Sequence, residues 1–105
     1  MINSNSVEVA YIGRDNSIDL ELHENGVNLT DYTPISRVLI TLGTNVIDSD
    51  ITPQYLDWTT AQKLIIKAGL AGIPSGNYRA RIETFDIDNP GGIVWTESLR
   101  VSIRA

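Results

Sequence analysis

No cysteine occurs among the 105 residues, which excludes disulfides, thiol nucleophiles, zinc knuckles and iron–sulfur ligation. Histidine is nearly absent too, and His23 alone cannot assemble a histidine-based metal site. Positive charge is scarce. Lys and Arg number 8 against 13 Asp and Glu, giving a net charge of −5 and an isoelectric point near 4.6. That balance argues against nucleic acid as a main ligand, because such binding is driven by neutralising phosphates. No apolar run approaches the ~20 residues of a membrane-spanning helix. Met1 to Ser6 (MINSNS) also lacks the basic-then-apolar pattern of an export signal. Sustained helical periodicity, internal repeats and low-complexity stretches are missing as well. What remains is 42% hydrophobic and 20% charged, too apolar for disorder and long enough for one core. Residues 1–6 read as a flexible arm, and residues 7–105 as a single domain.

The charge is unevenly distributed. Met1 to Asp57 holds nine acids (Glu8, Asp15, Asp19, Glu21, Glu24, Asp31, Asp48, Asp50, Asp57) and two bases (Arg14, Arg37), a net of −7. Trp58 to Ala105 holds four acids (Glu83, Asp86, Asp88, Glu97) and six bases (Lys63, Lys67, Arg79, Arg81, Arg100, Arg104), a net of +2. Two outcomes are open: strands of the halves mix and pair their charges, or the surface is dipolar and favours head-to-tail packing of copies.

Alternation with period two dominates the chain. Val7, Val9 and Tyr11 share one face of a first strand, with Glu8 on the other. Gly13 to Asn16 (GRDN) reads as a turn. Ile18, Leu20 and Leu22 alternate with Asp19, Glu21 and His23, a half-buried strand with an acidic outer face. Asn25-Gly26 predicts a type I′ turn, whose two central residues need positive φ. After an interruption at Thr30 to Pro34 (TDYTP), Ser36, Val38, Ile40 and Leu42 face one way, and a short strand follows at Val46 to Asp48. Thr52 as cap, Pro53 at the first helical position and Asp57 at the end predict one helical turn. Leu64 and Ile66 then point inward between Lys63 and Lys67, and Gly69 to Gly76 (GLAGIPSG) reads as a loop. In Asn77 to Phe85, Tyr78, Ala80 and Ile82 face the core, while Arg79, Arg81 and Glu83 face out. In Ile93 to Arg104, Trp95, Leu99, Val101 and Ile103 are inward. Seven or eight short strands at this spacing, with at most one helical turn, predict an all-β sandwich.

No motif points to catalysis or a cofactor. Asp86 to Glu97 (DIDNPGGIVWTE) has acids at loop positions one and three, glycine at six and Glu at twelve, close to a calcium loop. Pro90 at position five offers no side-chain oxygen, however, and the flanks alternate as strands, so a hairpin turn is expected. No metal site is expected there. Asn28-Leu29-Thr30 matches a glycosylation sequon and carries little weight. No phosphate loop or nucleophile elbow fits, and His23 beside Glu21 and Glu24 reads as a solvated surface residue. Tyr32, Tyr55, Trp58 and Trp95 raise the alternative of a sugar-stacking platform, against which Trp95 is in phase with the core.

If the last turn centres at Asn89-Pro90, opposed residue numbers sum to about 179. Arg79 then faces Arg100 on the outer side, with Arg81 and Arg104 nearby. Like charges directly opposite are unfavourable, so a carboxylate from a neighbouring strand or another subunit is expected between them. Asp19 and Glu21 are the expected acidic donors. Arg79, Arg81, Arg100, Arg104, Asp19 and Glu21 are therefore the candidate protein interface.

Gly76-Asn77-Tyr78-Arg79-Ala80-Arg81-Ile82 resembles the Gly-x-Tyr run of immunoglobulin-like domains, whose Tyr hydroxyl ties a corner to upstream backbone. Ala80 stands where antibody domains carry cysteine. The order Leu22 to Thr30, Arg37 to Gly43, Ile47 to Ser49, Leu56 to Trp58, Lys63 to Ile66, Gly76 to Tyr78 and Asp86 to Trp95 is similar to immunoglobulin-like proteins of tailed-bacteriophage virions. These include baseplate-upper-protein N-terminal domains and head- or tail-associated accessory proteins. The likeness spans roughly residues 17–104. It implies an immunoglobulin-like antiparallel sandwich and a non-enzymatic structural role in the virion. The expected partners are other virion proteins, with possible self-association and neither nucleic acid nor membrane. A carbohydrate- or cell-surface-binding module is the alternative.

Overall fold

A computed structural model describes residues 6–105. The predicted arm lies outside them, except for Ser6. In chain order the strands are β1 (Glu8–Tyr11), β2 (Ile18–Leu20), β3 (His23–Glu24), β4 (Val27–Asn28), β5 (Arg37–Leu42), β6 (Asn45–Asp48), β7 (Leu56–Asp57), β8 (Leu64–Ile66), β9 (Gly76–Phe85) and β10 (Ile93–Arg104). The fold is all-β. One sheet has the order β1-β10-β9-β5-β6, a second β2-β8-β7, and β3 pairs with β4 as a separate hairpin. Every pairing is antiparallel except that of β1 with β10.

Both larger sheets contribute to one hydrophobic cluster. Val38, Ile40 and Leu42 of β5, Ala80 and Ile82 of β9, and Leu99, Val101 and Ile103 of β10 meet Ile18 and Leu20 of β2, Leu56 of β7, and Leu64 and Ile66 of β8. The period-two pattern is thus the pattern of burial, and a one-residue slip would turn each apolar set to water. The first strand resolves differently from the others. The face carrying Val9 and Tyr11 is the outer one, in register with Ser102 and Arg104, while Ala10 is fully buried against Ile103.

Asn25 and Gly26 take φ of 54° and 79°, and His23 pairs with Asn28 and Glu24 with Val27, a two-residue hairpin as their turn chemistry predicts. The predicted helical turn is a 3₁₀ turn at Pro53–Tyr55 that stops short of Asp57. Leu56 is buried and pairs with Ile66, so extended backbone wins there over helix. Thr52 makes no side-chain cap. A second 3₁₀ turn at Ala68–Leu70 occupies chain read as strand end and loop.

The closing hairpin corrects the predicted turn. Ile93 pairs with Thr84 and Val94 with Glu83, sums of 177, which centre the turn between Asp88 and Asn89. Register shifts between Val94 and Thr96 and between Thr96 and Leu99 each add one residue to β10, so that Arg100 pairs with Arg79, a sum of 179. Two single-residue shifts preserve the in–out phase, which is why Trp95 and Leu99 still face the same side.

Candidate docking surface

The sheet register places Arg79 and Arg100 directly opposite each other on the outer face of the five-stranded sheet. Their cross-strand neighbours there are Asn77 opposite Ser102, and Val9 beside Ser102 on β1. Arg104 donates from Nε to Ser102 Oγ at 3.2 Å. Val7, Asn77, Arg79, Arg100, Ser102 and Arg104 line an open groove of about 470 Å³. Among the described residues Arg79 has no ion-pair partner. Directly opposed like charges are unfavourable, and Arg100 makes a further interaction of its own.

Arg81 does not join this group. Its guanidinium pairs with Glu83 at 3.0 Å and Glu97 at 3.5 Å. Asp19 and Glu21 face outward as expected, but from the side of the three-stranded sheet, on the opposite face of the domain. Asp19 accepts from Ser17 Oγ at 2.7 Å, and Glu21 lies 2.9 Å from His23 Nε2. Within one copy these acids cannot lie between the arginines, so a carboxylate from that layer must come from another molecule.

The other sequence candidates are absorbed by the fold. Asp86 Oδ1 accepts from the backbone N–H of Asp88 at 2.9 Å and of Asn89 at 2.8 Å, an Asx turn that uses its carboxylate. Glu97 turns to Arg81 instead. Among the described residues no three His, Asp or Glu side chains gather as a metal site, and no helix is long and apolar enough to cross a membrane. Tyr32 is buried, accepting from the Leu22 N–H at 2.8 Å and donating to Asn28 Oδ1 at 2.5 Å. Trp58 donates to the Ile35 carbonyl at 3.0 Å and Trp95 to Thr84 Oγ1 at 2.8 Å. With Tyr55, both tryptophans pack against the core rather than forming an exposed platform.

A second groove, not expected from the sequence, lies where the loops after β4, β6 and β9 meet. It measures about 460 Å³ and is lined by Pro34, Ser36, Arg37, Asp50, Phe85, Asp86, Ile87 and Pro90. Arg37 is among its lining residues. The guanidinium lies 5.0 Å from the Phe85 ring centroid, 2.6 Å from Asp48 Oδ2 and 3.4 Å from Asp50. The charge-assisted bond from Arg37 holds the Asp48 carboxyl below its usual range. Ile87 is 91% exposed and Ile51, next to Asp50, 77% exposed. The available signal was an isoleucine inside the turn Asp-Ile-Asp-Asn-Pro, where no strand gives it a buried side.

No family model, curated protein or solved structure matches the chain.

Proposed function

We propose that this chain is an immunoglobulin-like β-sandwich and, more specifically, a non-enzymatic structural component of a tailed-bacteriophage virion that docks on other virion proteins in multiple copies. Four features support the architectural part. The first strand runs parallel to the last, the five-stranded order has β9 at its centre between β10 and β5, and β2, β8 and β7 form the second layer over a shared core. The Tyr78 hydroxyl donates to the Pro74 carbonyl at 2.7 Å, which is the corner bond that the Gly-x-Tyr run implies. The virion assignment is supported by the motif order over residues 17–104. It implies a location in the particle and requires no cofactor.

The observation that carries the docking role is the pair Arg79 and Arg100, cross-strand on an exposed sheet face. Guanidinium groups so placed take a carboxylate in bidentate geometry, which gives a contact direction as well as affinity. The test is the double charge reversal Arg79→Glu with Arg100→Glu, assembled into particles beside the wild-type chain. The variant keeps its all-β circular dichroism and is missing from purified particles by mass spectrometry. Wild-type levels of a folded variant in particles would refute the docking role.

A further inference from the structure

We propose that copies of this chain associate head to tail, the loop end of one copy seating on the arginine end of the next. The inference rests on the docking reading above and names a second copy as the partner. The register defines the two ends. Arg37 pairs with Phe85, Leu39 with Asp48 and Ile93 with Thr84, so the start of β5, the end of β6 and the β9–β10 turn share one end. Ile103 pairs with Gly76 and Tyr11 with Arg104, so the other end of the same sheet carries the arginines and the turn after β1.

Charge at the two ends is opposite. At the loop end Asp48, Asp50, Asp86 and Asp88 stand against Arg37, four acids less one base, a net of −3. At the arginine end Arg79, Arg100 and Arg104 give +3. Each end also exposes apolar surface. Ile87 and Ile51 stand at 91% and 77% exposure beside the loop groove, and Val7, Tyr11 and Ile12 at 47%, 40% and 43% at or beside the arginine groove. Isolated exposed aliphatics are ordinary, but grouped ones bordering a groove mark an interaction surface.

The signs restrict the symmetry. A two-fold contact centred on either end would set arginines on arginines or carboxylates on carboxylates, whereas an antiparallel two-fold dimer would pair opposite ends twice and stop at two copies. Opposite signs also meet head to tail, which is the heterologous arrangement that builds rings or open chains. Both grooves are shallow, so the contact belongs among small, transient interfaces, with a dissociation constant of roughly 0.1–1 mM. In an assembly the array of copies supplies the remaining affinity.

The test is sedimentation velocity between about 10 µM and 1 mM, at roughly 20 mM and 500 mM NaCl. The wild-type sedimentation coefficient rises with concentration at low salt and stays flat at high salt. Arg79→Glu/Arg100→Glu and Asp50→Lys/Asp88→Lys each stay monomeric, and their equimolar mixture associates again, because each reversed end now finds its complement. Ile87→Ser, which changes a side chain outside the core, weakens association by about tenfold with an unchanged melting temperature. Wild-type protein monomeric at the highest concentration and low salt overturns the proposal, as do folded reversed variants whose mixture fails to associate. The outcome is separable from the virion reading. Loss of the arginine variant from particles without self-association leaves docking on a different protein, whereas self-association with normal incorporation sinks the docking role in the particle.

Discussion

Tyr32→Phe removes one oxygen from the interior and leaves the ring in place. That oxygen accepts the Leu22 N–H at 2.8 Å and donates to Asn28 Oδ1 at 2.5 Å, while Leu22 is fully buried and Tyr32 is 2% exposed. The lost bond to Asn28 contributes about 1 kcal/mol, and an orphaned buried N–H costs about 1–3 kcal/mol more. The expected destabilisation is therefore about 2–4 kcal/mol. With an unfolding entropy of roughly 2.1 cal/mol/K per residue, 105 residues lose about 9–18 °C in melting temperature. Urea unfolding should show a lower midpoint at unchanged slope, since the surface exposed on unfolding stays the same. The alkaline limb gives an independent reading. Burial pushes the Tyr32 phenol above its ordinary 10.0, the Glu21 charge adds to this, and the Leu22 N–H opposes it. The folded state thus holds the proton more tightly than the unfolded chain. That contribution is complete below about pH 10 and is lost as pH rises through the native value. Tyr32→Phe should remove it. A variant within about 0.5 kcal/mol of wild type, with an unchanged alkaline limb, would show that the Leu22 N–H finds another partner and that the reasoning is wrong.

Gly69→Ala should be among the most damaging single-methyl additions. A Cβ there meets the Tyr11 carbonyl oxygen at 2.0 Å, backbone that cannot swing aside, so about 2–3 kcal/mol of overpacking is expected in thermal unfolding, and a change under ~0.5 kcal/mol counts against it. Acid unfolding should steepen below pH 4. Asp48, held low mainly by Arg37, and Asp57, held low mainly by the Thr60 hydroxyl, contribute stability that is present above their ordinary 3.8 and is lost as pH falls through their native values. Asp48→Asn should flatten that limb in circular dichroism, and an acid midpoint that does not move would exclude the carboxylate as its source.

The sequence by itself determined which residues alternate and where the chain turns. These properties are local, since side chains on a strand point to opposite faces and Asn25-Gly26 carries its turn in its own φ preference. Arg79 opposite Arg100 was legible for the same reason, although two compensating shifts in β10 replaced a turn centred at Asn89-Pro90. What depends on a partner distant in the chain was decided by the tertiary structure. Val9 and Tyr11 are apolar, yet β1 pairs parallel to β10 with Ala10 inward, because the small side chain fits the covered side beside Ile103. The second 3₁₀ turn exists where Gly69 passes under the Tyr11 carbonyl, a proximity across 58 residues that no local pattern encodes. Arg81 left the basic stripe because Glu83 and Glu97 came within reach, and Asp19 and Glu21 fell on the opposite layer. The loop groove with Ile51 and Ile87 joins three connections that sequence keeps apart. Alternation fixes the face on which a side chain lies within its own strand, and sheet pairing and layer packing fix its neighbours, so the strands were readable from the chain while the grooves that join them were made by the fold.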